Sequence, residues 1–433
     1  MQAVALGIFV TARTHDPLWT GLVAAAAFVP VGLLSPVGGA LADRFDRRRW
    51  LILTTAAEMA MAAILTALAA TGRATPATAV VMAFLGGSAG AVGFPAYQAM
   101  LPDLVARRED ILAAVSLSSA QFNLGRVIGP ALAGVVLALG SYQLAFACNA
   151  VSFAAVIVAL AFVRVPAPRP ATGRPHILRS VAEGARLAAG DPGCRAAIVM
   201  IGIVAILASP FIALVPAMAI DALHMGSGHR GSFGTAVLVT AQGVGAVIGA
   251  VAVPALAARY GRQRQVVASL CALPVLLVAY AAAPSLWWSA AALLLVGAGY
   301  IGVLSGLNTV VQLRAPAAAR GRVLSLYMLS LGTIYPIGAV IQGAIGSHVG
   351  VRAVTGIAAL ALLLVMALTI GLRPGALRAL GGPSAVPSAG SPVAAGPVVT
   401  PAHEGGPGRR DGQLPPAPAV TASENPPPFP TSA

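Results

Sequence analysis

The stretch Gly39-Ala40-Leu41-Ala42-Asp43-Arg44-Phe45-Asp46-Arg47-Arg48-Arg49 sets an acid and a dense basic run between two long apolar segments. A helix crossing about 30 Å of hydrocarbon needs roughly 20 apolar residues, and both flanking segments have that length. Moving outward from this turn, segments of the same kind recur near 20–42, 50–70, 77–100, 111–139, 142–163, 196–220, 231–257, 266–283, 287–313, 323–347 and 353–372. The chain is 58% hydrophobic and only 9% charged, whereas soluble domains carry about a quarter charged residues. So little polar surface cannot cover the chain in water. The fold class expected is an all-α membrane protein with many spans.

The net charge of +14 would point to nucleic acid in a soluble protein. Here the basic side chains, all of them Arg, fall in alternate loops between spans, so no nucleic-acid partner is expected. Arg44, Arg47, Arg48, Arg49, Arg107, Arg108, Arg259, Arg262, Arg264, Arg314, Arg320 and Arg322 occupy one set of loops, with further arginines in 164–195. The other set holds only Arg13, Arg73, Arg230 and Arg352. Positive loops stay on the cytoplasmic side. The arginine-rich loops and the C-terminus are therefore expected in the cytoplasm of a cell-membrane protein. Trp19, Trp50, Trp287 and Trp288 all lie at span ends, where an amphipathic ring suits the interface.

Four regions follow: a first bundle over 1–163, a cytoplasmic linker over 164–195, a second bundle over 196–373, and a tail over 374–433. The tail is Pro, Gly, Ala and Ser with scattered charge, a composition that buries no core and predicts disorder. In the linker, Ile177, Val181, Ala185 and Ala188 follow helical spacing, which predicts a short amphipathic helix on the inner membrane surface or a solvated linker helix. Cys148, Cys194 and Cys271 lack partners at metal or redox spacing, and His224 and His229 form no metal pair. No nucleophile–base constellation appears, so no enzyme, cofactor or metal site is expected. The chain also lacks the G-x-x-x-x-G-K-[ST] phosphate loop that would mark ATP as an energy source.

The second half echoes the first. At a shift of 209 residues, Gly90 matches Gly299, Gly93 matches Gly302, Ser116 matches Ser325, Leu117 matches Leu326, Gly129 matches Gly338 and Gly134 matches Gly343. A weaker echo pairs Arg44-Phe45-Asp46-Arg47 with Arg259-Tyr260-Gly261-Arg262. Two homologous bundles around a midplane cavity is the usual build of a secondary transporter.

Gly39 to Arg49 resembles the signature loop between the second and third helices of the major facilitator superfamily, G-x-L-a-D-r-x-G-r-r-r, with Asp46 where the second Gly is usual. The stretch from Trp19 to Arg49, and Glu183-Gly184 followed by Asp191-Pro192, resemble the enterobactin-exporter-like, multidrug-efflux branch. Gly125-Arg126-Val127-Ile128-Gly129-Pro130-Ala131-Leu132-Ala133-Gly134 resembles the fifth-helix antiporter motif, G-x-x-x-G-P-x-x-G. The resemblance implies two pseudo-symmetric six-helix bundles and a monomer. It also implies proton-coupled export of a small organic molecule, siderophore or drug-like. In that family the acid and arginines matching Asp43, Arg44, Arg47 and Arg48, beside Gly39, are thought to latch the bundles on the inside. Met1 to Ala12 resembles only the outer half of the first helix, so an incomplete helix is expected, either with a start some 20–30 residues upstream or as a natural truncation.

Physical readings of the site residues stand beside the family's. The Asp43 turn is a gate or simply a topology-setting basic loop. Gly125, Gly129 and Gly134 permit close helix contact, and Pro130 bends the span. Glu58 and Arg126 lie nearest the middle of the bilayer, where a charge costs at least about 2.5–3.5 kcal/mol on insertion scales. Glu58 is the acid best placed to bind protons, or it bonds to a neighbouring span. Arg126 contacts substrate or protons, or is satisfied by carbonyls. Gln98, Gln121, Asn123, Asn149, Gln242, Asn308 and Gln312 line the cavity or join helices, and Tyr327 and Tyr335 carry the same ambiguity. An uptake permease of the same fold and a non-transporting sensor or scaffold are the rival readings.

Overall fold

Four helices open on a side-chain cap that the sequence displays openly. Asp16-Pro17, Thr75-Pro76 and Asp191-Pro192 each put a capping oxygen before a proline at the first helical position, where a missing N–H costs nothing. The Asp16 carboxylate accepts from the Leu18 N–H at 2.9 Å, and the Asp191 carboxylate from the Cys194 N–H at 2.8 Å. Asp46 caps the third helix by accepting from the Arg49 N–H at 2.7 Å. The residue that departs from the family's loop pattern is thus a helix start. Between later helices the joints are single glycines, Gly261 (φ 87°) and Gly350 (φ 86°), in backbone conformations that a side chain would strain.

The computed structural model describes residues 2–105, 107, 110, 113–114, 117–118, 121, 124–125, 128–129, 132–133, 135–137, 142–163, 177–226, 228–316 and 320–381, without the side chains of 36, 43, 177–181 and 321. The described helices are α1 Gln2–Thr14, α2 Pro17–Arg44, α3 Arg47–Ala70, α4 Pro76–Met100, α5 Tyr142–Phe162, α6 Ile177–Gly190, α7 Pro192–Leu207, α8 Phe211–Ala217, α9 His229–Tyr260, α10 Arg262–Ala282, α11 Leu286–Arg314, α12 Arg320–Leu329, α13 Tyr335–Val349, α14 Val351–Leu372 and α15 Pro374–Ala379. Among the described residues, 10 helical segments are long and apolar enough to cross a membrane. The eleventh expected span, 111–139, lies largely outside the described residues; those of it that are described are helical. At 13 residues, α1 measures about 20 Å.

Two expected spans are interrupted. The span near 196–220 breaks at Ala208 to Pro210 between α7 and α8, then ends in a π turn, Met218–Ala222. A second π turn, Ser330–Ile334, joins α12 to α13. Apolar length alone hides such breaks, although Pro210 and Pro216 mark the first. The Val204 carbonyl accepts from the Ala208 and Ser209 N–H groups, both at 2.9 Å, and the Ser209 hydroxyl donates to it at 3.2 Å and lies 2.8 Å from the Tyr300 hydroxyl, so the broken turn stays satisfied in the apolar interior.

The two halves repeat one packing scheme. In the first, Gly87 of α4 lies directly against the Ala27 carbonyl of α2, and Gly93 against Thr54 of α3. In the second, Gly297 of α11 lies against the Gln242 carbonyl of α9, and Gly302 against Ser269 of α10. Small residues at these crossings bring backbones together where lipid offers no hydrophobic drive for association. The halves then meet backbone to backbone along α2 and α13. Gly21 faces the Ala339 carbonyl, Gly343 faces Pro17, and Gly32 approaches Gly332 at the second π turn. Beside them Gly7 of α1 packs on Pro216 of α8.

Two regions differ from expectation. The linker helix α6 exists, but Gly184 and Ala188 are its buried positions and Ala185 is exposed. It packs on α12, with Gly184 against the Arg322 carbonyl and Glu183 paired with Arg322; of the expected face, the Ile177 and Val181 side chains lie outside the described residues. The tail is not structureless from its start: α15 folds back with Leu377 and Leu380 buried. Cys194 is buried in the first turn of α7.

The strongest tie in the second half is a buried, bidentate ion pair. Arg314 at the end of α11 donates to Asp191 at 2.7 and 2.9 Å, and the two are 7% and 4% exposed. Burial works against the Asp191 charge, but the hydrogen bonds from Arg314 and the Cys194 N–H outweigh it and hold the carboxyl below its usual range. A carboxylate depressed on folding adds stability above its unfolded pKa of about 4 and loses it as pH falls through the lower folded value. Replacing one partner strands a buried charge, at about 3–5 kcal/mol. Arg314→Met should therefore lower the thermal midpoint more than the double change Asp191→Leu with Arg314→Met. In the parent the contribution should stay level from pH 8 to 5. Equal losses in single and double variants, measured by thermal unfolding in detergent, would remove the tie.

Candidate transport cavity

Between the halves lies a cavity of about 520 Å³. The first half contributes Leu6 and Gly7 of α1, Thr20, Val23, Ala24, Ala27 and Phe28 of α2, and Gln121 and Gly125. The second contributes Ile212, Ala213 and Pro216 of α8, Val239 of α9 and Tyr335 of α13. Among the described lining residues the polar groups are few. The Thr20 hydroxyl is already shared with Thr11 at 2.9 Å, and Gln121 and the Tyr335 hydroxyl remain. Phe28 and Tyr335 meet edge to face across the two halves, their centroids 5.4 Å apart. Ligand cavities commonly have this make-up, apolar walls with a few polar groups.

One end of this cavity is closed by contacts between the halves. The α2–α13 glycine contacts run from Pro17 and Gly343 to Gly32 and Gly332. At the rim, His15 before α2 meets Asp221 of the π turn after α8, with 2.7 Å between ring nitrogen and carboxylate oxygen. Arg352 stitches the same rim within the second half, donating to the carbonyls of Ala222, Ala281 and Ala283. Beyond Gly32, toward the arginine-rich turn, Leu33 and Val37 of α2 are exposed and Gly39 has no neighbour within 4 Å.

Around that turn the described contacts stay within the first half. Arg47 pairs with Asp103 at 2.7 Å and donates to the Ala99 carbonyl at 3.1 Å, at the end of α4. Arg48 donates to the Leu160 and Ala161 carbonyls at the end of α5, at 2.7 and 2.6 Å. Arg44 is exposed, and the Asp43 side chain lies outside the described residues. Phe45 and Trp50 stack, and the Trp50 indole donates to the Val92 carbonyl at 3.0 Å.

Of the polar residues expected in the cavity, Gln121 is there, and so is Tyr335. Gly129 is helical, whereas Asn123, Arg126, Pro130 and Gly134 lie outside the described residues. The others sit elsewhere. Asn149 is buried on α5 and bonds to the Gln2 side chain of α1. Gln242 is buried at the α9–α11 crossing. Asn308 accepts from Gln312 one turn along α11. Gln98 is exposed near the end of α4, and the Tyr327 hydroxyl bonds to the Leu304 carbonyl. Glu58 lies between α3 and α4, its carboxylate facing Gly90, with no hydrogen bond among the described residues. Phe28 and Pro216 escaped the sequence reading because apolar cavity liners look like lipid-facing or packing residues.

Residues 1–388 match the family model described as "Transmembrane secretion effector". The enterobactin exporter EntS of Citrobacter koseri is 28% identical over 406 residues, 91% of this chain and 92% of that protein. The multidrug efflux pump Tap of Mycolicibacterium fortuitum is 24% identical over 81% of this chain and 86% of that protein. The staphyloferrin A transporter of Staphylococcus aureus is 36% identical over a shorter match, 36% of this chain and 40% of that protein. The fold is that of a bacterial homologue of the human lysosomal transporter Spinster, solved inward-facing and unoccupied: TM-score 0.68, 14% identity, over 88% of this chain and 94% of that one. The chain belongs to the transmembrane secretion effector family of the major facilitator superfamily, and is a multi-pass membrane transporter, not an enzyme.

Proposed function

We propose that the chain, as a monomer, exports a small siderophore-like or drug-like molecule from the cytoplasm by alternating access, in exchange for protons. The observation that carries this reading is the cavity shared by both halves and closed at the end away from the arginine-rich turn. With that turn cytoplasmic, as the positive-inside rule predicts, the cavity faces inward, the state in which an exporter loads and an uptake permease would release. The names of its relatives, exporter and efflux pump, support the direction. Transport measured in oriented membrane vesicles under an imposed pH gradient tests it. Movement of enterobactin-like or cationic-dye substrates out of the cytoplasmic compartment is expected; movement only inward would make the chain an uptake permease.

The closing contacts and the arginine-rich turn act as opposed gates. In this reading the His15–Asp221 pair holds the outer gate shut, while Asp43 and its arginines latch the inner gate in the alternate state. His15→Ala with Asp221→Asn should raise several-fold the labelling of Ala24→Cys by a membrane-impermeant maleimide added outside. Unchanged labelling removes the pair from the gate. Asp43→Asn should slow export with membrane abundance intact, and parental rates in that variant would end the latch.

Glu58 is the acid we assign to proton binding, acting through the α3–α4 contact since it does not line the cavity. Glu58→Gln should make export insensitive to the pH gradient while substrate binding persists. A preserved response to the gradient would show that the proton travels elsewhere.

A further inference from the structure

A second groove lies apart from the transport cavity. It has a volume of about 690 Å³ and runs between α7 and α14, on spans of the second half, at the arginine-rich end. Its walls are apolar: Val199 and Ile203 on α7 face Leu368 and Leu372 on α14, and Leu372 is 76% exposed. At the mouth stand Arg195 and Arg373. Among the described lining residues there is no acid, and the Asp191 carboxylate, beside Pro192 of the groove, is turned inward onto Arg314. Arg195 makes one long hydrogen bond, 3.4 Å to the Ala189 carbonyl, which leaves most of its five donors unused. Arg373 is exposed and makes no side-chain hydrogen bond among the described residues. Below it α15 turns back against the bundle, so the groove ends where the two guanidinium groups stand.

We propose that this groove seats one acidic phospholipid, its phosphate on Arg195 and Arg373 and an acyl chain along Val199, Ile203 and Leu368. The charge asymmetry selects the occupant. A zwitterionic lipid would bring a cation to a mouth that already holds two and offers no acid. The apolar walls add what a free phosphate could not use. Attraction of a basic side chain to an anionic lipid surface corresponds to about fivefold in affinity. This lipid site is separate from the cavity and does not depend on the direction of transport.

The full chain, purified in detergent and mixed with equal amounts of phosphatidylglycerol and phosphatidylcholine, tests the proposal by native mass spectrometry. One phosphatidylglycerol retained in preference to phosphatidylcholine is expected. Arg195→Gln with Arg373→Gln should reduce that preference by about fivefold per arginine removed, whereas Arg195→Lys with Arg373→Lys should keep it. Leu368→Trp fills the groove without touching the charges and should also weaken retention, a test that survives if the glutamine variant does not fold. No preference in the parent overturns the proposal. So does retention unaffected by Leu368→Trp, or displacement of the lipid by millimolar inorganic phosphate.

Discussion

In lipid, two bundles come close only where side chains leave room for backbone. Along α2 and α13 the contact is made by backbone, through Gly21, Gly32, Gly332 and Gly343. A Cβ at Gly21 would run into the Ala339 carbonyl, so the close approach exists only because these positions carry no side chain. Everything else follows from that seam. It sets the cavity between α1, α2 and α8, closes one end of it, and leaves Phe28 and Tyr335 facing each other over its interior. The π turn at Ser330–Ile334 falls where Gly332 meets Gly32, so the helix is locally rewound at the point of closest approach.

Within each half the charged groups do the opposite work and make rigid joints. Arg47 and Arg48 bind the α2–α3 turn to the ends of α4 and α5. Asp191 and Arg314 bind the start of α7 to the end of α11, and Glu183 and Arg322 add the linker helix to the same half. The linker is therefore part of the second bundle rather than a free tether. Among the described residues, a histidine–carboxylate contact, His15 with Asp221, crosses between the halves at the exposed rim. A pair in that position is screened and cheap to break. Such a contact suits the outer gate proposed above.

Much of this was legible in advance. Segment lengths and sparse charge make the chain a membrane protein, because unsatisfied backbone in hydrocarbon leaves helices as the available form for such spans. Asp16-Pro17, Thr75-Pro76 and Asp191-Pro192 mark helix starts, since a cap and a proline act locally. The glycines echoed between halves mark repeated crossings: Gly93 and Gly302 sit on the hydroxyls of Thr54 and Ser269. The loop from Gly39 to Arg49 carries the family resemblance because its charges must be displayed in one turn. What these features share is short range or simple periodicity.

The site was less legible. Gln121 and Tyr335 reach the cavity, whereas Asn149 and Tyr327 bond to neighbouring helices, Asn308 pairs with Gln312 on its own helix, and Gln242 is buried at a helix crossing. In a span of some 20 residues a polar side chain advertises that it needs a partner, not which helix supplies it. That choice depends on the rotation of each helix against its neighbours, which the close glycine contacts decide and hydropathy does not record. By itself the sequence determined the membrane setting, the doubled architecture and the helix starts, all consequences of local chemistry or repetition. Only the tertiary structure decided which residues share the central cavity, where the spans break and which end is closed, because each rests on contacts between segments far apart in the chain.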